Sequence, residues 1–160
     1  MGKTLEERIG ILEDIEEIKK LKARYLYAID DGDWDSVLDC FSEDAKVDYG
    51  LWGRYEGRME IEKFFKELFP PHYSLHHHVT HDPLIEIDGD KARGRWNLDE
   101  AATIAKGSKA IWISGRYDDE YVKESKGWKY KSISVKFFYV TPYEEGWGKR
   151  RMIDLDYLTS

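Results

Sequence analysis

The chain of 160 residues has one cysteine, four prolines, no surplus of positive charge and no long apolar run. Each shortage excludes something. A lone Cys40 rules out an internal disulfide framework and suits a reducing cytoplasm. Nothing near Cys40 in the sequence would lower its pKa, so it reads as a structural thiol. A formal charge of -7 leaves no broad basic surface to neutralise phosphates, which argues against nucleic acid as a partner. No apolar stretch approaches the length of a bilayer span, and MGKTLEERIGIL carries acids where a secretion signal needs an unbroken apolar core. The expectation is therefore a cytoplasmic protein with neither membrane nor nucleic-acid partner. Phosphate-binding loops, the Gly-x-Ser-x-Gly elbow and zinc signatures are also missing.

Aromatics are plentiful by contrast, with six Trp and eleven Tyr among 14% aromatic residues. Rings in that number fit either a well-filled core or a cavity lined by them. Leu5, Ile9, Leu12, Ile15, Ile18, Leu21, Tyr25 and Ile29 recur at steps of three and four, which predicts an amphipathic helix over 4–30. Thr4 with Glu7 forms a capping box at its start, and Gly32 is the natural stop. Asp33 then caps a short helix reaching about Phe41, followed by a strand over 46–52 and a third helix over 57–69 stopped by Pro70 and Pro71. Beyond that point the period changes to two. SLHHHVT, PLIEID, KARGRWNLDEAATIA, KAIWISGRYDDEYVKE and WKYKSISVKFFYV read as strands of an antiparallel meander. Residues 1–145 are expected to form one α+β domain, a curved sheet wrapped on the long first helix as a cone, with 146–160 as a polar tail. The open end of such a cone is a ready pocket.

Two stretches carry candidate chemistry. In YAIDDGDWDSVLDCFSEDA, residues 27–45, four acids crowd a helix end. Asp33 is the cap and Asp31 and Asp35 are expected in solvent, while Asp30 continues the helix from an apolar segment. In HHHVTH, residues 76–81, His76 and His78 share one strand face and His77 takes the other. His76 and His77 read most simply as polar residues at a sheet rim. The spacing His76-x-His78 is also one that transition metals use, but no carboxylate follows at the usual short interval, so no metal is expected. The third reading is a catalytic His78 oriented by a carboxylate, which would fix its tautomer and free the other ring nitrogen as a base.

The segments YLYAIDDGDWD, FSEDAKVDY, HHHVTH, GRWNLDE and FFYVTPYE, in this order after a long helix, resemble the SnoaL-like branch of the nuclear-transport-factor-2-like superfamily. Within that branch the likeness is to bile-acid 7α-dehydratase, with scytalone dehydratase and hexachlorocyclohexane dehydrochlorinase more distant, and it covers roughly residues 5–145. The resemblance implies the same cone. It also implies a cofactor-independent lyase that works by an Asp–His pair, here Asp30 and His78, with Tyr25 as the dehydratase tyrosine. An acidic strand residue of the family falls on Glu100, and a family arginine falls near Lys136 or Phe137. Trp96, Trp112 and Phe138 alternate along long strands and join Glu100 and Lys136 as candidate substrate contacts. Core packing is the plain alternative for the three aromatics, and a convex-face surface position for Lys136. The expected substrate is a small hydrophobic, hydroxylated polycyclic or aromatic carbonyl compound. An isomerase or polyketide-type cyclase on the same scaffold, or a non-catalytic binding module, is the alternative. Back-to-back packing of such sheets in the family implies a homodimer or larger homo-oligomer.

Overall fold

The computed structural model describes residues 2–160. Helix α1 runs Leu5–Asp31, and its start is the capping box read from the sequence: Glu7 N–H donates to Thr4 Oγ1 and Thr4 N–H donates to a Glu7 carboxylate oxygen. Gly32 ends it in the left-handed region at φ 71°, with its N–H donating to Ile29 O and that of Asp33 to Ala28 O. A side chain with a Cβ would be strained there, so glycine lets the chain turn directly after Asp31 and leaves Asp30 in the last turn of the helix. Asp33 then caps α2 (Trp34–Asp39), its carboxylate accepting from Ser36 N–H and Oγ.

The second helix is shorter than its sequence suggests, because Phe41 already belongs to a strand, β1 (Phe41–Asp48). A 3-10 turn at Gly50–Trp52 occupies the end of the expected strand, and β2 (Arg54–Glu56) folds back on β1. Helix α3 (Gly57–Lys63) widens into a π-turn at Phe64–Leu68, and Pro70 starts a short 3-10 turn that leads into the meander. The meander has four long strands: β3 (Tyr73–Asp88), β4 (Lys91–Ile104), β5 (Lys109–Glu124) and β6 (Gly127–Pro142). What the sequence presents as two strands is one, β3, broken in register between His81 and Leu84, where Asp82 takes φ 53° beside Pro83.

The six strands form an open sheet in the order β2-β1-β6-β5-β4-β3. All neighbours are antiparallel except β1 and β6, which run parallel, so the sheet is mixed rather than wholly antiparallel. It curves over the C-terminal half of α1. Ile18, Leu21, Tyr25, Leu26 and Ile29 are buried there, and the Tyr25 ring meets Phe41, Phe65 and Tyr130 edge-on. The N-terminal half of the same stripe lies outside this core, with Leu5, Ile9 and Leu12 exposed. Residues 146–160, expected as a plain polar tail, contain two short helices, α4 (Gly146–Lys149) and α5 (Leu155–Thr159), and bury Ile153 and Leu158 against the rest. No helix among the described residues is long and apolar enough to cross a membrane.

Beneath the hollow end of the cone lies a charged pair sealed from water. Lys22 Nζ is 2.9 Å from Asp119 Oδ2, with side-chain exposures of 1% and 0%. The ammonium sits 3.3 Å from the centre of the Tyr117 ring, and Tyr121 Oη donates to the same Asp119 oxygen while accepting from Trp96 Nε1. Burial pulls the Lys22 pKa down and pushes that of Asp119 up, and the attraction between the two opposes both shifts.

Candidate active site

The hollow at the mouth of the cone holds about 470 Å³ of atom-free space, its open mouth included. Its wall is aromatic, formed by Tyr49, Trp52, Phe64, Phe69, Tyr73 and Phe137 among others, and its polar floor is His76, His78 and Glu100. Three pieces of local structure place that floor. The glycine stop of α1 leaves Asp30 in the last turn, facing the edge strand β3. Period-two alternation in β3 turns His76 and His78 inward and His77 outward to solvent. Register then sets Glu100 of β4 directly opposite His78.

These groups form one line of contacts. Asp30 Oδ1 lies 2.6 Å from His78 Nδ1, and the two Asp30 oxygens also accept the His78 backbone N–H at 3.3 and 3.1 Å. That amide lies on the free edge of the sheet, so the aspartate satisfies a strand donor as well as orienting the ring. On its far side His78 Nε2 is 3.3 Å from Glu100 Oε2, and Glu100 Oε1 is 3.0 Å from His76 Nδ1. The His76 ring stacks on Phe69 at 4.8 Å and lies 5.7 Å from the His78 ring. Burial alone would lower the His78 pKa. The Glu100 charge and the bond to Asp30 outweigh it, and the imidazole is held above its ordinary value.

Tyr25 also lines the hollow, with its hydroxyl 2.7 Å from that of Tyr49. Burial raises both phenol pKa values well above the usual, so both remain hydrogen-bond donors rather than phenolates. Tyr25 and Asp30 stand about 140° apart around the helix; Tyr25 lines the hollow itself, and Asp30 is joined to it through His78.

Asp30, His78, Tyr25 and Glu100 therefore come together. The other four candidates do not line the hollow. Trp96 is buried deeper, bonded to Tyr121 in the Lys22 cluster. Trp112 is on the outer face, 42% exposed and stacked on Trp147, because the inward residues of β5 are Ile111, Ile113 and Tyr117. Lys136 is exposed, opposite Arg116, so the surface alternative is the one found. Phe138 packs beneath the Arg116 guanidinium, and its neighbour Phe137 takes the place in the wall. Phe137 keeps the parity of the inward Ile133 and Val135, and the register shift between Ser114 and Gly115 leaves Phe138 as the extra residue just beyond it.

Several residues of the wall escaped the sequence reading. Tyr117 was recoverable from the odd-numbered run Ile111, Ile113, Gly115, Tyr117. Tyr49, Trp52 and the Phe64–Phe69 cluster were not, since only the path of the turns between β1 and β3 brings them here. His76 reads from its sequence position as a rim residue, yet it shares a strand face with His78 and lines the same hollow. His76, His78 and Glu100 also offer donor atoms all within 4.8 Å of one another, a set that could hold a metal ion. The carboxylate sought near the histidines in sequence comes instead from the neighbouring strand.

Taken together, a long capped helix under a curved mixed sheet, with an acid–imidazole line on the floor of an aromatic hollow, define an α+β cone with a polar-floored pocket. The chain belongs to the SnoaL-like domain family, whose profile matches residues 10–134. An uncharacterised protein of Mycobacterium tuberculosis is 27% identical over 132 residues, 81% of this chain and 90% of that one. A crystal structure from Novosphingobium aromaticivorans, provisionally named an aromatic ring hydroxylase, is 30% identical with a TM-score of 0.75, covering 82% of this chain and 94% of its own. A second structure from that organism, provisionally named a scytalone dehydratase, shares the fold at 21% identity and a TM-score of 0.76, over 82% and 89% of the two chains. A hexachlorocyclohexane dehydrochlorinase from Novosphingobium barchaimii does so at 20% identity and 0.72, over 84% and 91%.

Proposed function

We propose that this protein is a lyase of the dehydratase kind, acting on an uncharged, hydroxylated aromatic or ring carbonyl compound with Asp30 and His78 as its acid–base pair. The observation that carries the reading is the 2.6 Å contact between Asp30 Oδ1 and His78 Nδ1 at the floor of an aromatic hollow. With Nδ1–H donated to Asp30, Nε2 of His78 lies on the cavity floor beside Glu100 Oε2 and is the base in the fraction of protein whose ring is neutral. In the proposed step Nε2 takes a proton from the carbon next to the carbonyl. Asp30 stabilises the imidazolium that forms. Tyr25, paired with Tyr49, donates to the oxygen where enolate charge develops. The carbon–oxygen bond then breaks, and the departing hydroxyl takes the proton back from Nε2 to leave as water. Protons balance over the cycle.

A hollow walled by rings supports an apolar, ring-containing substrate. Elimination in the names of two fold neighbours supports the reaction class. A lining with neither lysine nor arginine supports a neutral substrate. The exposed aromatics of the outer face, Trp112, Tyr143 and Trp147, support the homo-oligomer read from the sequence. The test is a panel of hydroxylated ring ketones followed by mass spectrometry. Loss of water by wild type and its abolition in folded His78→Ala is the expected result. Product of unchanged mass, or undiminished turnover by His78→Ala, rejects it.

A further inference from the structure

We infer that the floor of the hollow is also a binding site for a divalent first-row transition ion, held by His76 Nδ1, His78 Nε2 and a carboxylate oxygen of Glu100. The three donors need no rearrangement of backbone: two come from alternate positions of β3 and the third from the residue paired with His78 on β4. The donor atoms lie within 4.8 Å of one another, with Glu100 Oε1 3.0 Å from His76 Nδ1 and Glu100 Oε2 3.3 Å from His78 Nε2. Drawing them to about 2.0–2.1 Å from one ion asks for small side-chain rotations only.

The donor set is two imidazoles and one carboxylate, which suits zinc, cobalt or ferrous ion and leaves positions open toward the cavity. The surroundings match as well. His78 Nδ1 is bonded to Asp30, the outer partner that fixes a liganding imidazole in the right tautomer. The His76 ring is clamped by Phe69 and Tyr73, so its nitrogens cannot swing away freely. All three side chains are at most 10% exposed, which distinguishes them from the solvent-exposed cluster of His81, Asp82 and Asp99. Hydrogen bonding alone explains why Glu100 touches both rings. A metal ion would take the place of those contacts and would use the same three groups, all of which line the hollow.

The consequence goes beyond the lyase reading. Metal and proton compete for the same Nε2 lone pair, so a bound ion takes His78 out of acid–base work. The metal site stands or falls independently of turnover. The experiment uses chelator-stripped full-length protein titrated with cobalt(II) and followed by its visible d–d absorption and by calorimetry, with each variant checked for folding by circular dichroism. Wild type should bind one equivalent with the strong absorption of a low-coordinate site. His76→Ala and Glu100→Ala should lose it, Asp30→Asn should weaken binding by about 10–100-fold, and His81→Ala should leave it unchanged. Binding absent from wild type, or unaltered in His76→Ala and Glu100→Ala, overturns the inference. Binding lost only in His81→Ala does so too, by moving the ion to the surface cluster.

Discussion

Replacing Lys22 by methionine removes the charge from a sealed pair while keeping most of the side-chain volume. At 2.9 Å the gross attraction to Asp119 is about 6 kcal/mol for an effective dielectric of about 20, and it is offset by the desolvation of both ions. What the variant loses is larger than what the pair contributes net. Asp119 is left buried with Tyr121 as its remaining side-chain partner, and its Oδ1 already has none. Orphaning one member of a buried pair costs about 3–5 kcal/mol, and the lost cation–π contact with Tyr117 adds to that. For a chain of this size a loss of 3–5 kcal/mol lowers Tm by roughly 6–20 °C. The assay is urea unfolding of Lys22→Met, Asp119→Asn and the double variant at pH 7. The double variant should recover much of the loss, since a neutral pair carries no uncompensated charge. The pH dependence has a definite sign. In Lys22→Met the Asp119 pKa is raised in the fold above its unfolded value. Protonation therefore favours the folded state: the relief is complete below the unfolded pKa and disappears as pH rises through the folded one. The deficit of Lys22→Met should shrink on acidification. A loss under about 1 kcal/mol at pH 7, or a double variant no better than the worse single one, refutes this account.

Asp30→Asn should keep the fold but lower turnover by about 10²–10⁴-fold, because the imidazole loses its orienting carboxylate; steady-state kinetics on the substrate found by mass spectrometry measures it. Cys40 is buried and its thiol is pushed up to about 11, mainly by burial. A thiol reagent at pH 8 should therefore leave native protein unlabelled and label it fully in denaturant. Gly115→Ala should destabilise by about 1–3 kcal/mol, as an added Cβ would stand 2.8 Å from Lys136 O at the β5–β6 register shift. Chemical denaturation reads that loss, and a neutral variant argues against a tightly held bulge.

The architecture was legible because its signals are local. The Thr4 box, the three-and-four spacing of α1, the Gly32 stop and the switch to period two each constrain a few adjacent residues, and each has a distinct conformational cause. The Asp30–His78 meeting was legible for a different reason: the family resemblance supplied a contact between residues 48 apart that no local rule contains. Side-chain direction was legible only as far as alternation held. It held from His76 to His78 and placed both inward. On β6 it held through Ile133, Val135 and Phe137, against the choice of Phe138, which is the extra residue at the register shift. It was misapplied at Trp112, where a large ring was preferred over the small alternating residues on either side.

That pattern bears on how the pocket gets its chemistry. Polar floor residues come from the regular part of the sheet, where cross-strand pairing fixes His78 against Glu100 to within a hydrogen bond. The wall that sizes the cavity comes from the irregular parts: the turn carrying Trp52, the π-turn carrying Phe64 and the bulge beside Phe137. Changes in those turns and bulges alter the shape of the hollow without disturbing the register that holds the proton-transfer groups. A scaffold divided in this way can change its substrate while keeping its acid–base line, and Phe137 is the position that tests it. Phe137→Ala should widen the hollow beside the floor and shift preference toward larger ring systems, with the Asp30–His78 contact unchanged. A preference that stays the same, or one that moves together with loss of that contact in a structure of the variant, shows that wall and floor are not separable here.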